Sequence, residues 1–327
     1  MTREALLAIV LVIATVASFA TALAAGSLPI GYSAVFDSVV FPEPGIVHDV
    51  IWNLRAPRAF AAYACGALLA LAGALLQVLL RNALADPYVL GVSGGASLGA
   101  LLGIAAGAGA ALGSAFALAG ALAALLIVFG LTYRSGDWNV YRLLLTGVVL
   151  SAGLSALISL ALVLAPEAQV KGMLFWLMGD LSQAGSALPA WIVLAIVAAV
   201  GTVIAAQLDL LALGDIKARS LGVGVGALQL LVFAGAAAAT VAAVVLGGAI
   251  GFIGLMAPHA LRLAGVHRHR ALLPLSAMLG GSFLTLADTA ARSVWAPQQL
   301  PVGVVTALIG VPAMLLLLGR HRDASVH

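Results

Sequence analysis

The feature that most constrains this chain is the recurrence of apolar stretches close to twenty residues long, set apart by short breaks where proline, glycine and charge collect. Wound as an α-helix, each stretch rises far enough to cross about 30 Å of hydrocarbon. That layer offers no water, so every backbone N–H and C=O must find a partner within the protein, and only helices or a closed barrel can do this. Alternating ten-residue strands are absent and the runs are rich in Ala, Leu, Val and Gly, so the chain reads as all-α. Composition rules out a soluble domain. The 327 residues are 63% hydrophobic and 8% charged, with mean hydropathy +1.17, against about 25% charged in water-soluble proteins.

The breaks delimit ten expected transmembrane helices, at 5–25, 57–79, 88–105, 111–131, 143–164, 188–207, 226–247, 249–265, 272–290 and 302–319, within one transmembrane domain over 1–327. The first has some marks of a secretory signal, with Arg3 ahead of the run and Ala22-Leu23-Ala24 near its end. Its apolar run exceeds the roughly 7–15 residues of a signal core, so it is expected to stay as a span. Ten spans place both termini on one side. With that side inside, Arg3, Arg81, Arg134, Arg142, Lys217, Arg219, Arg262, Arg268, Arg270, Arg320 and Arg322 fall inside, and Arg55, Arg58, Lys171 and Arg292 outside, 11 against 4 of the 15 basic residues. Cytoplasmic loops carry the excess of Lys and Arg, so cytoplasmic termini are expected. The same single, scattered placement makes the net charge of +3 a topology signal and not a nucleic-acid surface. Gly91, Gly95, Gly99, Gly103 and Gly107 recur every fourth residue, a ridge that lets another helix approach closely.

The search for chemistry is mostly negative. There is no His-Glu-x-x-His, no Gly-x-Ser-x-Gly and no paired-carboxylate cluster. The lone Cys65 excludes a disulfide framework and a cysteine metal site, and no metal ligands are assigned. A phosphate-binding P-loop needs Gly-Lys followed by Ser or Thr; Lys171 follows Val170 and Lys217 follows Ile216, so the chain carries no such motif. His267-Arg268-His269-Arg270 reads as a topology determinant. For a stand-alone, ion-coupled secondary transporter, the alternative reading, the candidate midplane groups are His259 and Asp288. Asp288 lies four residues before Arg292, which also suits a helical ion pair. One inside segment, Leu208 to Gly222, mixes leucines with charge and is broken at Gly214. It reads as two short helices with an apolar and a charged face, suited either to a cleft on a soluble partner or to the lipid surface.

Leu211-Ala-Leu-Gly214-Asp215-x-x-Ala218-Arg219-x-Leu221-Gly222 resembles the coupling segment of type II ABC importer permeases of the iron-chelate and vitamin B12 family. Three other stretches agree: Arg81 to Gly95, Gly248 to Arg262 and Leu300 to Pro312, with Ala83 standing where the family usually has proline. The resemblance implies a type II permease fold and a homodimer around a central pathway. It further implies two ATP-binding cassette subunits inside, with ATP and Mg bound there and no cofactor on this chain, and one periplasmic substrate-binding protein outside. Residues carried over are Leu211, Gly214, Asp215, Ala218, Arg219, Leu221 and Gly222 for ATPase coupling, within about 208–224. Arg55, Arg58 and Arg292 are carried over for binding-protein docking, and Asn82, Val140 and Tyr141 for the cytoplasmic gate. Gln77 is expected to line the pathway. The cargo is expected to be cobalamin, haem or a ferric siderophore, and the location the bacterial inner membrane.

Overall fold

The computed structural model of the chain describes residues 3–26, 28, 30–132, 140–182 and 184–323. Every regular element among them is helical. In order these are α1 (Arg3–Ala24), α2 (Tyr32–Val40), α3 (Ile46–Asp49), α4 (Ala56–Leu79), α5 (Val92–Ala105), α6 (Ala110–Thr132), α7 (Val140–Leu164), α8 (Glu167–Leu177), α9 (Leu188–Val203), α10 (Ala205–Ala212), α11 (Asp215–Ser220), α12 (Val225–Gly247), α13 (Ile253–Leu263), α14 (His269–Ser293) and α15 (Val302–Asp323). A π-helical turn at Val50–Arg55 joins α3 to α4 without a break, and a tight turn at Pro87–Leu90 precedes α5.

The core forms around α4, which packs on α14, α12, α13 and α9. A helix that is apolar on every side has no solvent face to offer and is buried. Here the sequence from Ala61 to Ala74 is almost entirely Ala, Leu and Gly, and Ala64, Leu68 and Ala72 have no exposed surface. Small residues set the distances. Gly66 faces the carbonyl of Gly280 on α14 and Gly73 that of Gly254 on α13, each so close that a methyl group would collide with backbone. The expected glycine ridge is present on α5, where Gly95 and Gly99 lie against the backbone of Gly120 and Phe116 on α6, and Gly103 against Gly113. Gly91 and Gly107 do something else: with φ of 72° and 70° they sit at the two ends of α5.

All ten expected spans appear as helices, but they do not all cross alone. Among the described residues six helices are long and apolar enough to do so, and a seventh results if α9 and α10, bent by 67°, count as one. The eighth expected span yields only α13, 11 residues or about 16 Å of helix, half of what the hydrocarbon needs. The third gives α5, 14 residues. Interrupted helices are tolerated at membrane depth when their ends are buried in protein, and both α5 and α13 pack against other helices here. The N-terminal span matches closely, and α2, unforeseen in the sequence, follows it.

Candidate functional site

α4 runs from Arg55 to the Leu80 turn, and α14 runs back beside it from His269 to Ser293. The bundle therefore has two ends, and the sequence-predicted residues divide between them.

At the first end, Arg55, Arg58 and Arg292 come together as expected, yet they are not presented outward. Arg55 is 4% exposed and its Nη1 donates to the carbonyls of Leu23 and Ala24 at 2.6 and 2.8 Å, while Nη2 reaches that of Leu28. Arg292, 8% exposed, donates to the carbonyl of Ala22. These are the last carbonyls of α1 and the turn after it, where a helix leaves acceptors unsatisfied and carries partial negative charge. Arg58 donates to both oxygens of Asp288, through Nε at 3.1 and 2.9 Å and Nη2 at 2.8 Å, and its Nη1 reaches Gln299 Oε1 at 2.9 Å. Asp288 also lies 3.9 Å from Arg292 Nε. The expected helical pair Asp288–Arg292 is thus the weaker one, and Arg58 is the main partner. The reason is geometric: a guanidinium fork matches a carboxylate in a bidentate pair, and α4 brings Arg58 across in that orientation. The three arginines border a cavity of about 480 Å³ whose wall also includes Asn53, Ser182 and Gln299.

A second cavity of about 560 Å³ lies between the α5–α6 turn, α8 and α12, with Lys171, Phe175, Trp176 and Asp180 on its wall.

At the other end, α4 stops at Leu79 and the chain turns at Arg81 with φ 49°, a left-handed conformation unusual for a residue with a side chain. Asn82 Oδ1 accepts from Leu84 N at 2.9 Å, and Asp86 Oδ1 caps Tyr88 N at 2.9 Å. Burial raises the Asp86 carboxyl pKa, and that backbone hydrogen bond opposes the shift. The Tyr88 hydroxyl both receives Ile250 N–H and donates to Ile250 O, each at 2.7 Å. This fastens the loop to the strap ahead of α13. Of the three residues carried over to the gate, Asn82 and Tyr141 are exposed, Tyr141 at 84%. Val140 opens α7, and its side chain lies outside the described residues. Gln77 departs from expectation. It is 3% exposed, with Nε2 near the carbonyls of Gly254 and Leu255 at 3.4 and 3.3 Å and Oε1 accepting from Arg262. Its amide instead reaches the Gly254 carbonyl, the one left without an N–H partner by Pro258 in α13.

The segment Leu208–Gly222 is built as two short helices broken at Gly214. Leu208, Leu211 and Ala218 are buried, whereas Leu213, Ile216 and Leu221 are 58, 86 and 60% exposed beside exposed Lys217 and Arg219. Asp215 faces inward to Arg81 Nη2 at 3.3 Å and Gln229 Nε2 at 3.3 Å. Asp209 Oδ1 accepts His269 N–H at 2.9 Å and meets its Nδ1 at 2.6 Å. So His269, grouped in the sequence with three exposed neighbours, is a buried anchor. Sequence reasoning also passed over Arg81, Gln229 and Arg262 as partners. Their only signal was polarity inside apolar motifs, and nothing local says which polar group meets which.

A model of the FecCD transport family matches residues 11–320. The vitamin B12 import system permease protein BtuC of Klebsiella pneumoniae subsp. pneumoniae is 38% identical over 275 residues, 83% of each chain. Its counterpart from Escherichia coli O157:H7 is 39% identical over 271 residues, 82% of this chain and 83% of that one. A solved structure described as an inward-facing conformation of a metal-chelate type ABC transporter superposes with TM-score 0.83 at 28% identity, covering 95% of this chain and 97% of its own. PsaBC from Streptococcus pneumoniae, solved with Fab, shares the fold at TM-score 0.55 and 15% identity, over 87% of this chain and 94% of that one.

Proposed function

This chain belongs to the FecCD transport family, and on that premise we propose that it forms the membrane pathway through which an ATP-driven importer moves a bulky metal chelate inward by alternating access. It is a multi-pass membrane protein and an ABC importer permease. The observation that carries the mechanism is the surface of α11. Ile216 on α11, with Leu213 and Leu221 just before and after it, stands exposed among the basic side chains Lys217 and Arg219. Exposed leucines along the spans can face lipid, but an apolar patch mixed with charge at the end of the bundle calls for a partner to cover it. In this reading the partner is an ATP-binding cassette subunit, one per permease, that holds ATP and Mg and leaves this chain without a nucleotide site.

The α11 end then faces the cytoplasm, with both termini, in the bacterial inner membrane. The arginine end faces the periplasm, where one substrate-binding protein docks. For its acidic residues to meet Arg55, Arg58 or Arg292 they must enter the cavity those arginines border, because none of the three guanidinium groups stands free. Two copies enclose the pathway. Poorly buried α7, with Val163 and Leu164 81 and 74% exposed, is available to face it or the second copy. Asn82, Val140 and Tyr141 close the cytoplasmic side. The names of the relatives favour cobalamin, ahead of haem and ferric siderophores. The ion-coupled alternative loses its best carboxylate, because Asp288 is already held by Arg58.

The test is co-expression with the ATPase and binding protein, purification and reconstitution into liposomes. Uptake of labelled cyanocobalamin, haem and a ferric hydroxamate is compared with and without ATP. Ile216→Asp is expected to lose the ATPase on purification while the permease still folds. Uptake by the permease alone under an ion gradient would refute the proposal.

A further inference from the structure

We propose that the Arg81–Asp215 ion pair is the link through which α11 moves the loop that carries Asn82. The inference rests on the coupling role given above to α11, and it names two positioning residues for that role. α11 is six residues long and lies between Gly214 and Gly222, whose φ values are 107° and 83°. Glycine adopts such torsions without the steric cost other residues meet, and a few torsions at element ends are enough to re-aim a rigid unit. α10 is not free in this way: Asp209 ties it to His269 at the start of α14, and Leu208 and Leu211 are buried. Force applied to Ile216 and its neighbours therefore re-aims α11 more readily than α10.

On its inner side α11 holds the bundle through buried Ala218 and through Asp215. One carboxylate oxygen meets Arg81 and the other meets Gln229 of α12, both at 3.3 Å. The Arg81 guanidinium also lies over the hinge itself, with Nη1 3.6 Å from where a Cβ on Gly214 would be. Arg81 is the residue with the left-handed φ of 49° on which the α4–loop turn depends. Held in a sparsely populated conformation, it is a point where a modest pull changes the backbone. Directly after it, Asn82 N donates to Gln77 O at 3.1 Å and Asn82 Oδ1 accepts from Leu84. The far end of the loop is fastened by Tyr88 to Ile250, and α4 is fastened to α13 through Gln77 and Arg262. A segment pinned at Tyr88 and pulled at Arg81 can respond only between them, and that is where Asn82 sits.

The test uses the assembled permease–ATPase complex in nanodiscs. Cys65, the one cysteine, is buried, so Cys65→Ala with Leu84→Cys gives a single reporter at an exposed loop position. The labelling rate by a charged maleimide is measured without nucleotide and during ATP hydrolysis. The parent is expected to show at least a fivefold nucleotide-dependent change. Arg81→Gln and Asp215→Asn should each abolish it in complexes that still retain the ATPase, and the exchanged pair Arg81→Asp with Asp215→Arg should restore it. A merely structural ion pair would shift stability but leave the nucleotide response intact. A response that persists in both single variants overturns the proposal, as does a parent that hydrolyses ATP with no change at position 84. If the ATPase does not co-purify with the parent at all, the coupling role of α11 falls, and this link falls with it.

Discussion

Replacing Asp288 by asparagine isolates the charge at the centre of the arginine cluster. The side chain keeps its shape and one carbonyl oxygen, but Arg58, Arg292 and nearby Arg55 lose their only close carboxylate among the described residues. Asp288 and Arg58 have side chains 3 and 14% exposed, and Arg292 9%, so water compensates little. Removing one partner of a buried ion pair costs about 3–5 kcal/mol, chiefly because the other charge is left uncompensated. Arg58 keeps its hydrogen bond to Gln299, and the new amide oxygen still accepts one bond, which places the expected loss at the lower end. A loss of about 3 kcal/mol is close to a hundredfold in the folding equilibrium. The assay is equilibrium unfolding of the purified protein by SDS in mixed micelles, followed by tryptophan fluorescence, for Asp288→Asn, Arg58→Gln and the double variant. The double variant should be less damaged than the sum of the two, with a coupling of about 2 kcal/mol, as contacting charged residues show. A loss of under about 0.5 kcal/mol for Asp288→Asn, or strictly additive effects, would refute the argument that this cluster is held by its carboxylate.

The glycine seam gives a matched pair. Gly99→Val should destabilise by about 3 kcal/mol or more in the same assay, beyond ordinary overpacking, because its Cβ would collide with the backbone of Phe116. Gly113→Ala on α6, with nothing near its Cβ position, should be neutral or gain up to about 1 kcal/mol. Tyr88→Phe strands both backbone groups of Ile250 and should cost about 1–3 kcal/mol, with faster hydrogen exchange at Ile250. Asp86 supplies a pH test. Burial raises its folded pKa, so its contribution is fully present below the unfolded carboxylate pKa and is lost as pH rises through the folded value. Asp86→Asn, which keeps the cap on Tyr88, should flatten that decline in pH-dependent thermal denaturation and be no less stable than the native chain at pH 7.

The fold class was written in quantities the sequence displays locally: apolar length, scarcity of charge, glycine at every fourth position. Each refers to a helix and its immediate surroundings, so each survived folding, and Gly95, Gly99 and Gly103 do meet α6. The broken helices at Leu208–Gly222 were legible for the same reason, since Gly214 and the alternation of leucine with charge are local features. Length alone overstated α13, because an apolar run does not say whether the chain spends it on a helix or on the strap around Gly248–Phe252. What tertiary structure alone decided was pairing. From the sequence, Arg55, Arg58 and Arg292 were outward cations, Gln77 a pathway residue and His269 one of a charged run. Packing turned Arg55 and Arg292 onto the carbonyls that end α1, gave Asp288 to Arg58, spent Gln77 on α13 and buried His269 against Asp209. A polar group inside an apolar bundle must find a partner. The sequence shows that this demand exists, but the partners lie 30 to 270 residues away, and only the way the helices pack brings one within reach.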